Sequence, residues 1–322
     1  MLRRTFTQLS LLACVGTLSL VGCGGSTTES GDGTTDVDVA ENTGEAFTKN
    51  KETTLRFSAI PDDNNAELKE KFDRVAAYLS EELGVPVEYV PASSYSASVE
   101  AFTNGDIQLA WFGGLTGVQA RQRVAGSPAI VQGAEDPQYY SYFIAHVDAG
   151  IAEWNGEDGM AFPEDALRGK TFTFGSESST SGRLMPEFFI RENTGESPEE
   201  FFGGTPAFSG SHDKTIEAVN SGNYQVGAVN YGTFEKAVAA GQTENCVIVW
   251  KTPYYADYNM TAHAELDEIY GVGSIARLQE VLIAMDDPQL LAAFNRSSLI
   301  AAKNSEFQGI ADVASDLGFL SE

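Results

Sequence analysis

The spacing of hydrophobic positions changes repeatedly along this chain. From residue 54, short apolar runs such as "TLRFSAIP", "VPVEYVP" and "IQLAWFG" alternate with longer segments in which apolar residues recur every three or four positions. The first spacing is typical of strands and the second of amphipathic helices. In residues 65–83 one helical face carries the apolar side chains, and Gly84 ends the predicted helix. The apolar face consists of Leu68, Phe72, Val75, Ala76 and Leu79.

The same alternation continues through most of the chain. Further strands are predicted at "KTFTFG", "YQVGAVN" and "CVIVWKTP", and further helices at "SYSASVEAFTNG", "MPEFFIREN", "KTIEAVNSG" and "TFEKAVAAG". The tail from about residue 265 has a mainly helical pattern. This order predicts an α/β fold with largely parallel sheets. With 322 residues, 42% of them apolar, the chain is long enough for one two-lobed unit or two domains.

The first 53 residues follow a different pattern. A basic start precedes an apolar stretch that ends in Leu20-Val21-Gly22-Cys23, which is the layout of a secretory signal. This ending resembles a bacterial lipobox, which implies a signal peptide over residues 1–22 and a lipid on the thiol of Cys23. The apolar stretch is too short and too broken by polar residues to favour a membrane-spanning helix. Residues 23–53 are then the lipidated cysteine and a polar, acidic segment that predicts a disordered tether.

Charge and cysteine content exclude several classes of function. The formal net charge of −26 argues against nucleic acid and against an anionic membrane surface as partners. It leaves an anionic ligand possible, because local dipoles and donors determine a binding site. Once the signal and Cys23 are set aside, Cys246 is the remaining cysteine, so we expect no internal disulfide and no cysteine metal site. No metal-ligand spacing is visible, and we expect neither a metal nor a cofactor.

Short hydroxyl side chains cluster at one turn between a predicted strand and a predicted helix, "GSESSTSGRLMP". A helix start offers unpaired N–H groups and a partial positive charge, which favour an anion without Lys or Arg. We therefore predict that the hydroxyls and amides of residues 178–181 converge on one oxyanion. Gly175 and Gly182 would let the backbone approach closely. Ordinary helix capping by one hydroxyl, with the others solvated, is the alternative.

Two other predicted helix starts and two tyrosine-rich loops carry candidate ligand groups. His212 follows a plausible N-cap at Ser211, and its imidazole could donate to an anion. Tyr95 stands near the start of another helix. The loops "DPQYYSYF" and "TPYYADYNM", which contain Tyr139 and Asp257, suit a small hydrogen-bonding pocket. Packing roles for the aromatic residues and local capping by Asp257 are the structural alternatives.

Taken in order, these blocks resemble the phosphonate- and phosphite-binding periplasmic proteins of ABC importers. The resemblance rests on "SSYSASVEAFTNGDIQLAWFGGLTG", "SSTSG", "GSHDKTIEAVNSG" and "VIVWKTPYYADYN" and runs through most of residues 54–320. It implies the type II periplasmic-binding-protein fold, with two α/β lobes that close on a ligand at a hinge. Lobe 1 would comprise residues 54–142 and 254–322, and lobe 2 residues 143–253. It also implies a permease partner in the inner membrane and a location on the periplasmic or cell-surface side.

Carried over by position, the resemblance implies a ligand-binding role for seven residues. Three match the hydroxyl motif that cradles the oxyanion, three match further donors, and one lies near a carboxylate that accepts a proton from the ligand. In that order they are Ser179, Thr180 and Ser181; Tyr95, Tyr139 and His212; and Asp257. Asn230, Tyr231 and Gly232 stand where binders of aminoalkyl phosphonates carry a carboxylate for the amine. This departure favours phosphite or a short phosphonate.

The sequence leaves some alternatives open. A buried carboxylate at Asp257 tolerates a phosphorus oxyanion that keeps a proton and repels fully ionised selenate or sulfate. The string "FTFGSESSTSGRLMP", however, is similar to a subgroup proposed to bind selenate, so selenate stays an alternative ligand. A ligand-loaded adaptor to a membrane receptor would use the same pocket. An exported hydrolase is disfavoured because the chain has no Gly-x-Ser-x-Gly elbow. We expect a monomeric binding protein and no enzymatic activity.

Overall fold

A computed structural model of the protein describes residues 35–63 and 65–320. Eleven strands in this part of the chain form two sheets with helices packed on them, which confirms the predicted α/β fold. None of the described helices combines the length and the apolar character that crossing a bilayer requires. The predicted signal peptide and Cys23 lie outside the described residues.

The first sheet and its helices form what we refer to as lobe 1. Its strands are β1 (Leu55–Ala59), β2 (Val87–Tyr89), β3 (Leu109–Phe112), β4 (Ala129–Gly133), β10 (Asn259–Ala262) and β11 (Leu299–Ala301). They lie side by side in the order β11-β4-β10-β3-β1-β2. The helices are α1 (Asn65–Leu83), α2 (Tyr95–Thr103), α3 (Gly114–Arg123), α9 (Leu266–Tyr270), α10 (Ser274–Ile283), α11 (Pro288–Leu291) and α12 (Gln308–Asp316).

The second sheet and its helices form lobe 2. Its strands are β5 (Ser141–His146), β6 (Phe172–Phe174), β7 (Ala207–Phe208), β8 (Val226–Asn230) and β9 (Cys246–Lys251). Their order across the sheet is β7-β6-β8-β5-β9. The helices are α4 (Glu164–Leu167), α5 (Met185–Thr194), α6 (Pro198–Phe202), α7 (His212–Asn220) and α8 (Tyr231–Ala239), and a π-helical turn, Thr180–Leu184, directly precedes α5.

Both sheets are mixed, so the prediction of largely parallel sheets is wrong. Strand β1 pairs in parallel with β2 and β3, and β6 with β7 and β8. Strands β5 and β10 run antiparallel to both of their neighbours, and β11 runs antiparallel to β4. The chain enters lobe 2 through β5 and returns to lobe 1 through β10. A buried strand has the same hydrophobic pattern in either direction, so the sequence could not distinguish the two arrangements.

Helix α1 shows why the pattern located the helices well. The five predicted core residues of this helix are all buried against the first sheet. Burying each large apolar side chain of this kind contributes about 1.5–3 kcal/mol. Gly84 follows the last helical residue with φ of +67°, a left-handed conformation that ends a helix and that glycine adopts without strain.

Residues 35–53, which we call the N-terminal strap, do not behave as the predicted tether. The side chain of Phe47 is buried in lobe 1 beside Tyr270, with ring centroids 5.3 Å apart. The backbone N–H of Ser305 donates to Asp36 at 2.9 Å. The polar composition predicts disorder, but one buried aromatic ring and hydrogen bonds to lobe 1 fix this segment to the fold.

Two crossovers, residues 134–140 and 252–258, connect the sheets. Tyr139 and Tyr255 pair across them, since the N–H of each donates to the carbonyl of the other at 2.9 Å. The crossovers therefore lie side by side, as the two strands of a hinge do. The lobe boundaries predicted after residues 142 and 253 remain predictions, and the first of them lies within β5.

Candidate functional site

Helix starts from both lobes meet in one buried cluster. Helices α2 and α3 begin there in lobe 1, and the π-helical turn and α7 begin there in lobe 2. The seven residues predicted from the sequence are each no more than 2% exposed. Any group held in this cluster would be enclosed by protein. No set of three His, Cys, Asp or Glu side chains within residues 35–63 and 65–320 is arranged to hold a metal ion.

The turn over residues 175–182, which we call the hydroxyl turn, explains why the sequence places so many short hydroxyls together. The Oγ of Ser179 accepts the N–H of Gly182 at 2.9 Å. The Oγ1 of Thr180 accepts the N–H of Leu115, the second residue of α3, also at 2.9 Å. A hydroxyl that accepts a backbone N–H still has its own hydrogen to donate. Ser179 and Thr180 can therefore each donate to a further acceptor, which for Thr180 includes the carboxyl group of Asp257, and Thr180 joins lobe 2 to lobe 1.

Glycine is required inside this turn. A Cβ at Gly182 would lie 3.0 Å from both the Oγ of Ser179 and the Cε1 of His212. The N–H of Gly175 donates to the carbonyl of Gly182 at 2.9 Å, which closes the turn. Ser178, which the sequence grouped with the hydroxyl motif, is only half-buried and lies outside the cluster.

His212 is fixed in one neutral form. Its Nδ1 accepts the backbone N–H of Asn230 at 3.3 Å, so the ring hydrogen is on Nε2. Burial lowers the pKa of His212 to about 4, and the ring is uncharged at neutral pH. Nε2 lies 3.4 Å from the Oγ of Ser181. The Nε2–H of His212 is thus directed at the oxygen of Ser181, and the Ser181 hydroxyl keeps its own hydrogen to donate within the cluster.

Asp257 supplies an acceptor in the same cluster. Its Oδ1 accepts the N–H of Gly114, the first residue of α3, at 2.8 Å. Its Oδ2 is buried and has no hydrogen-bond partner. Burial raises the pKa of Asp257 to about 7, although the Gly114 amide and the Thr180 hydroxyl lower it. The carboxyl group is therefore close to half-protonated at neutral pH.

Tyr95 supplies a second unpaired atom. Its hydroxyl is buried and makes no hydrogen bond of normal geometry, and burial raises its pKa well above the usual value. The charges of Asp62 and Asp257 raise this pKa further, and the nearby Ser179 hydroxyl lowers it. An unsatisfied buried polar atom costs about 1–3 kcal/mol. The cluster thus has one orphan donor, on Tyr95, and one orphan acceptor, on Asp257.

Tyr139 lies at the edge of the cluster rather than at the hydroxyl turn. Its ring packs against Tyr231 and Tyr258, with centroids 4.8 and 5.3 Å away. A cavity of about 40 Å³ between the lobes reaches Tyr139 and is also lined by Asp62 and Asn230. Tyr139 is therefore placed to contact a ligand from the side of this cavity.

Sequence reasoning missed the start of α3. Gly114 and Leu115 offer their N–H groups to the cluster, as described above. A Cβ at Gly113 would lie 3.1 Å from the Oγ1 of Thr180 and 3.3 Å from the Oδ1 of Asp257. Two glycines directly after the strand "LAWF" were the available signal, because a strand followed by glycines at a helix start is a common anion-binding arrangement.

A hydrogen-bonded chain beside the small cavity was also missed. The hydroxyl of Tyr258 donates to the Oδ2 of Asp62 at 2.8 Å and accepts from the Nδ2 of Asn230 at 3.2 Å. Burial raises the pKa of Asp62 to about 6, against the effect of the Tyr258 hydroxyl. The Oδ1 of Asn230 caps α8 by accepting the N–H of Thr233 at 2.6 Å. Asn230 therefore uses both ends of its amide within the protein.

Comparison with known proteins places these features in one family. A family model described as "ABC transporter, phosphonate, periplasmic substrate-binding protein" matches residues 57–307. The chain is 36% identical to the "Probable ABC transporter phosphite binding protein PhnD1" of Prochlorococcus marinus, over 82% of this chain and 89% of the relative. The structure is similar to that of the same PhnD1 in complex with methylphosphonate, with a TM-score of 0.77 over 82% of this chain and 98% of that one.

A more distant structure agrees in fold. It is a binding protein component of an ABC phosphonate transporter from Pseudomonas aeruginosa, with a TM-score of 0.69 and 20% identity over 81% of this chain and 85% of that chain. Together these structures confirm the two-lobed periplasmic-binding-protein fold expected from the sequence.

Proposed function

Because this chain belongs to the family of periplasmic substrate-binding proteins of phosphonate ABC transporters, we propose that it captures phosphite or a short phosphonate and delivers it to the permease. Membership of this family makes the protein a transport component and not an enzyme. One observation carries the choice of ligand. The buried site contains an unpaired donor on Tyr95 and an unpaired acceptor on Asp257, and a singly protonated oxyanion can satisfy both.

In the proposed complex, neutral donors hold the unprotonated oxygens of the anion. These donors are the hydroxyls of Tyr95, Ser179, Thr180 and Ser181 and the Nε2–H of His212, with Tyr139 at the edge. The protonated oxygen of the ligand donates to the Oδ2 of Asp257. The site and the anion thus share one proton, and hydrogen bonds to a charged group contribute about 1.5–3 kcal/mol each.

The pKa of Asp257 determines how strictly the site selects for phosphorus. Phosphite and phosphonates can bring the shared proton themselves, whereas sulfate and selenate cannot. Because the pKa of Asp257 is about 7, its carboxyl group can supply that proton in acid. Above neutral pH, Asp257 is ionised and repels a fully ionised anion. Discrimination against sulfate and selenate should therefore be strongest at mildly alkaline pH.

The space beside the site favours a small substituent on phosphorus. The cavity at Tyr139, which none of the other six site residues lines, has a volume of about 40 Å³, little more than the ~30 Å³ that one water molecule occupies in the liquid. A hydrogen atom or a methyl group fits there. Asn230 offers no carboxylate to an amine, and its amide is already hydrogen-bonded at both ends. The phosphite named for PhnD1 and the methylphosphonate in its structure support the same size of ligand.

Ligand exchange requires the lobes to separate, since the site residues are buried and come from both lobes. The paired crossovers are the natural hinge for that movement. The family is periplasmic, and we propose in addition that a lipid on Cys23 anchors the protein and that it acts as a monomer.

Titration calorimetry tests the proposed ligand. The protein lacking residues 1–23 would be titrated at about pH 8 with phosphite, methylphosphonate, aminoethylphosphonate, phosphate, selenate and sulfate. We expect phosphite or methylphosphonate to bind most tightly, and selenate and sulfate to bind at least about 100-fold more weakly because Asp257 is then ionised. Selenate or sulfate binding as tightly as the phosphorus anions would overturn the proposed ligand.

A further inference from the structure

Arg296 is a buried cation that packs against Tyr139 and Tyr258 at the edge of the site. It lies between α11 and β11, and its side chain is 3% exposed. Its Nη2 lies 2.6 Å from the Oδ1 of Asp136, and its Nε is 3.0 and 2.9 Å from the two carboxylate oxygens. Its Nη1 donates to the carbonyls of Phe294 and Asn295 at 3.1 and 2.9 Å. The guanidinium is thereby held in one orientation.

The faces of this guanidinium contact aromatic rings of the site. Its central carbon lies 4.6 Å from the ring centroid of Tyr258 and 5.1 Å from that of Tyr139. Trp111 completes the enclosure at 5.8 Å. A cation at this distance from a ring is attracted to it, and more strongly when desolvated. Arg296 therefore fixes the ring plane of Tyr139, and both residues line the small cavity together with Trp111 and Tyr258.

Asp136, the ion-pair partner of Arg296, also contacts the backbone of Asp257. Asp136 lies in the first crossover, and its backbone carbonyl accepts the N–H of Asp257 at 3.2 Å. Its Oδ2 also accepts the N–H of Gly133 at 2.6 Å, which holds the crossover at its start. A Cβ at Gly133 would lie 2.4 Å from the Cδ of Arg296, so this packing requires glycine. Asp136 thus connects Arg296 to the backbone of Asp257.

We propose that Arg296 is a positioning residue of the oxyanion site. Its ion pair with Asp136 holds the backbone of Asp257, and its stacked face holds the ring of Tyr139, while Arg296 itself does not touch the anion. This inference rests on the proposed function. The positive charge of Arg296 also matters. It lowers the pKa of Tyr139 and that of Asp257, whereas burial raises both. A buried cation here offsets some of the negative charge that an anion adds.

The test separates positioning from stability. Removing Arg296 alone leaves Asp136 as an unpaired buried charge, which strongly destabilises the fold, whereas replacing both members of a buried pair is often close to neutral. We therefore use the double variant Asp136→Asn/Arg296→Gln, and Arg296→Lys as a second variant that keeps the charge but loses the fork. The dissociation constant for methylphosphonate is measured at 25 °C, below the onset of unfolding, together with the melting temperature.

We expect the double variant to fold and to bind methylphosphonate at least 10-fold more weakly than the unmodified protein. Arg296→Lys should bind with intermediate affinity. The same double change in a Tyr139→Phe background should cost clearly less than 10-fold, since part of its effect passes through Tyr139. A residue that serves stability alone would lower the melting temperature without changing the dissociation constant of the folded protein.

Arg168→Gln is the matched control. Arg168 also pairs with carboxylates, Glu164 and Glu196, each at 2.7 Å, and stacks on Phe201 at 4.8 Å, but it directly follows α4 and its side chain is partly exposed. We expect unchanged affinity for this variant. If both Arg296 variants bind like Arg168→Gln, the inference is wrong. If the unmodified protein itself fails to bind methylphosphonate and phosphite, the proposed function fails, and that result is distinct from a failure of the Arg296 variants alone.

Discussion

The protonation of Asp257 links the pH of the medium to ligand binding. In the proposed complex the ligand and Asp257 share one proton. In acid the free carboxyl group and the free ligand each hold a proton, so binding releases one and weakens as pH falls. In alkali both are ionised, so binding must take up a proton and weakens as pH rises. With a pKa of about 7 for Asp257, we expect the affinity for phosphite to be greatest near neutral pH.

Calorimetry between about pH 5.5 and 8.5 checks this profile. Sulfate brings no proton, and its affinity should only fall as the pH rises through that range. Asp257→Asn should bind phosphite about 10- to 100-fold more weakly at neutral pH, and it should lose the alkaline decrease because an amide can donate to the dianion. A flat profile for phosphite in the unmodified protein would place the shared proton elsewhere.

Tyr95 allows a prediction with opposite signs for stability and binding. Its hydroxyl is buried without a partner, so Tyr95→Phe should leave the free energy of unfolding unchanged or raise it by up to about 1 kcal/mol. The same change should weaken phosphite binding about 10-fold, because the anion loses a donor. Thermal unfolding and calorimetry measure the two effects. Tyr78→Phe is the control, since the Tyr78 hydroxyl donates to the carbonyl of Val281 at 3.1 Å; it should lower stability and leave binding unchanged.

At the scale of elements, what could be predicted depended on how local the signal was. Helix α1 and the hydroxyl turn were predictable because each is encoded in one continuous segment. Ser211 stands at the predicted N-cap of α7, although its side chain makes no capping hydrogen bond. Strands β7 and β11, of two and three residues, are too short to show a period of two. The directions of β5 and β10 depend on pairing with distant strands, which no local pattern records.

The same limit applies to the site. Gly114 and Asp257 are separated by 143 residues in sequence, and Asp136 and Arg296 by 160. The composition around Arg296 gives no sign that it faces a ligand site, because its role depends on three aromatic rings from separate segments. Resemblance to a family supplied Asp257 and Tyr139 as candidates, but the contacts that position them are visible only in the fold.

The N-terminal strap is an element whose contribution can be measured. Phe47 is buried against Tyr270, and its N–H donates to the Oγ of Ser274 at 2.9 Å. We expect Phe47→Ala to lower the free energy of unfolding by about 3–5 kcal/mol and to leave methylphosphonate affinity unchanged. Chemical denaturation measures the first effect and calorimetry the second. The exposed Glu52→Ala in the same strap serves as control, and equal stability of the two variants would show that the segment is a tether after all.

For the whole molecule, the net charge opposes the binding of the proposed ligand. The chain has a formal net charge of −26, yet the proposed ligand is an anion. The site resolves this conflict with neutral donors: hydroxyls and an uncharged imidazole attract the anion at short range, at the positive ends of helices. At physiological ionic strength the repulsion between the distant surface charges and the anion is screened beyond about 8 Å. Local geometry therefore decides binding, and lobe closure is the step that assembles it.

Lys236 lies outside the site but pairs with lobe 1, so it links lobe closure to ligand affinity. It lies on α8 of lobe 2, forms an ion pair with Asp63 of lobe 1, and has its Nζ 3.4 Å from the Oε2 of Glu67 at the start of α1. This pair joins the two lobes, so it stabilises the closed form and not the open one. An interaction of that kind raises apparent affinity by the amount it favours closure. A partly exposed ion pair contributes about 0.2–1 kcal/mol.

We expect Lys236→Gln to weaken methylphosphonate binding by about 1.5- to 5-fold, mainly through faster dissociation. The difference from the unmodified protein should shrink in 0.5 M salt because the pair is screened. Lys251→Gln removes the same charge from an ion pair with Asp158 at 2.7 Å that lies within lobe 2. It controls for the loss of a positive charge that would attract an anion. Stopped-flow measurements of the three proteins at low and high salt decide the question, because equal losses for Lys236→Gln and Lys251→Gln would assign the effect to long-range charge and leave closure independent of Lys236.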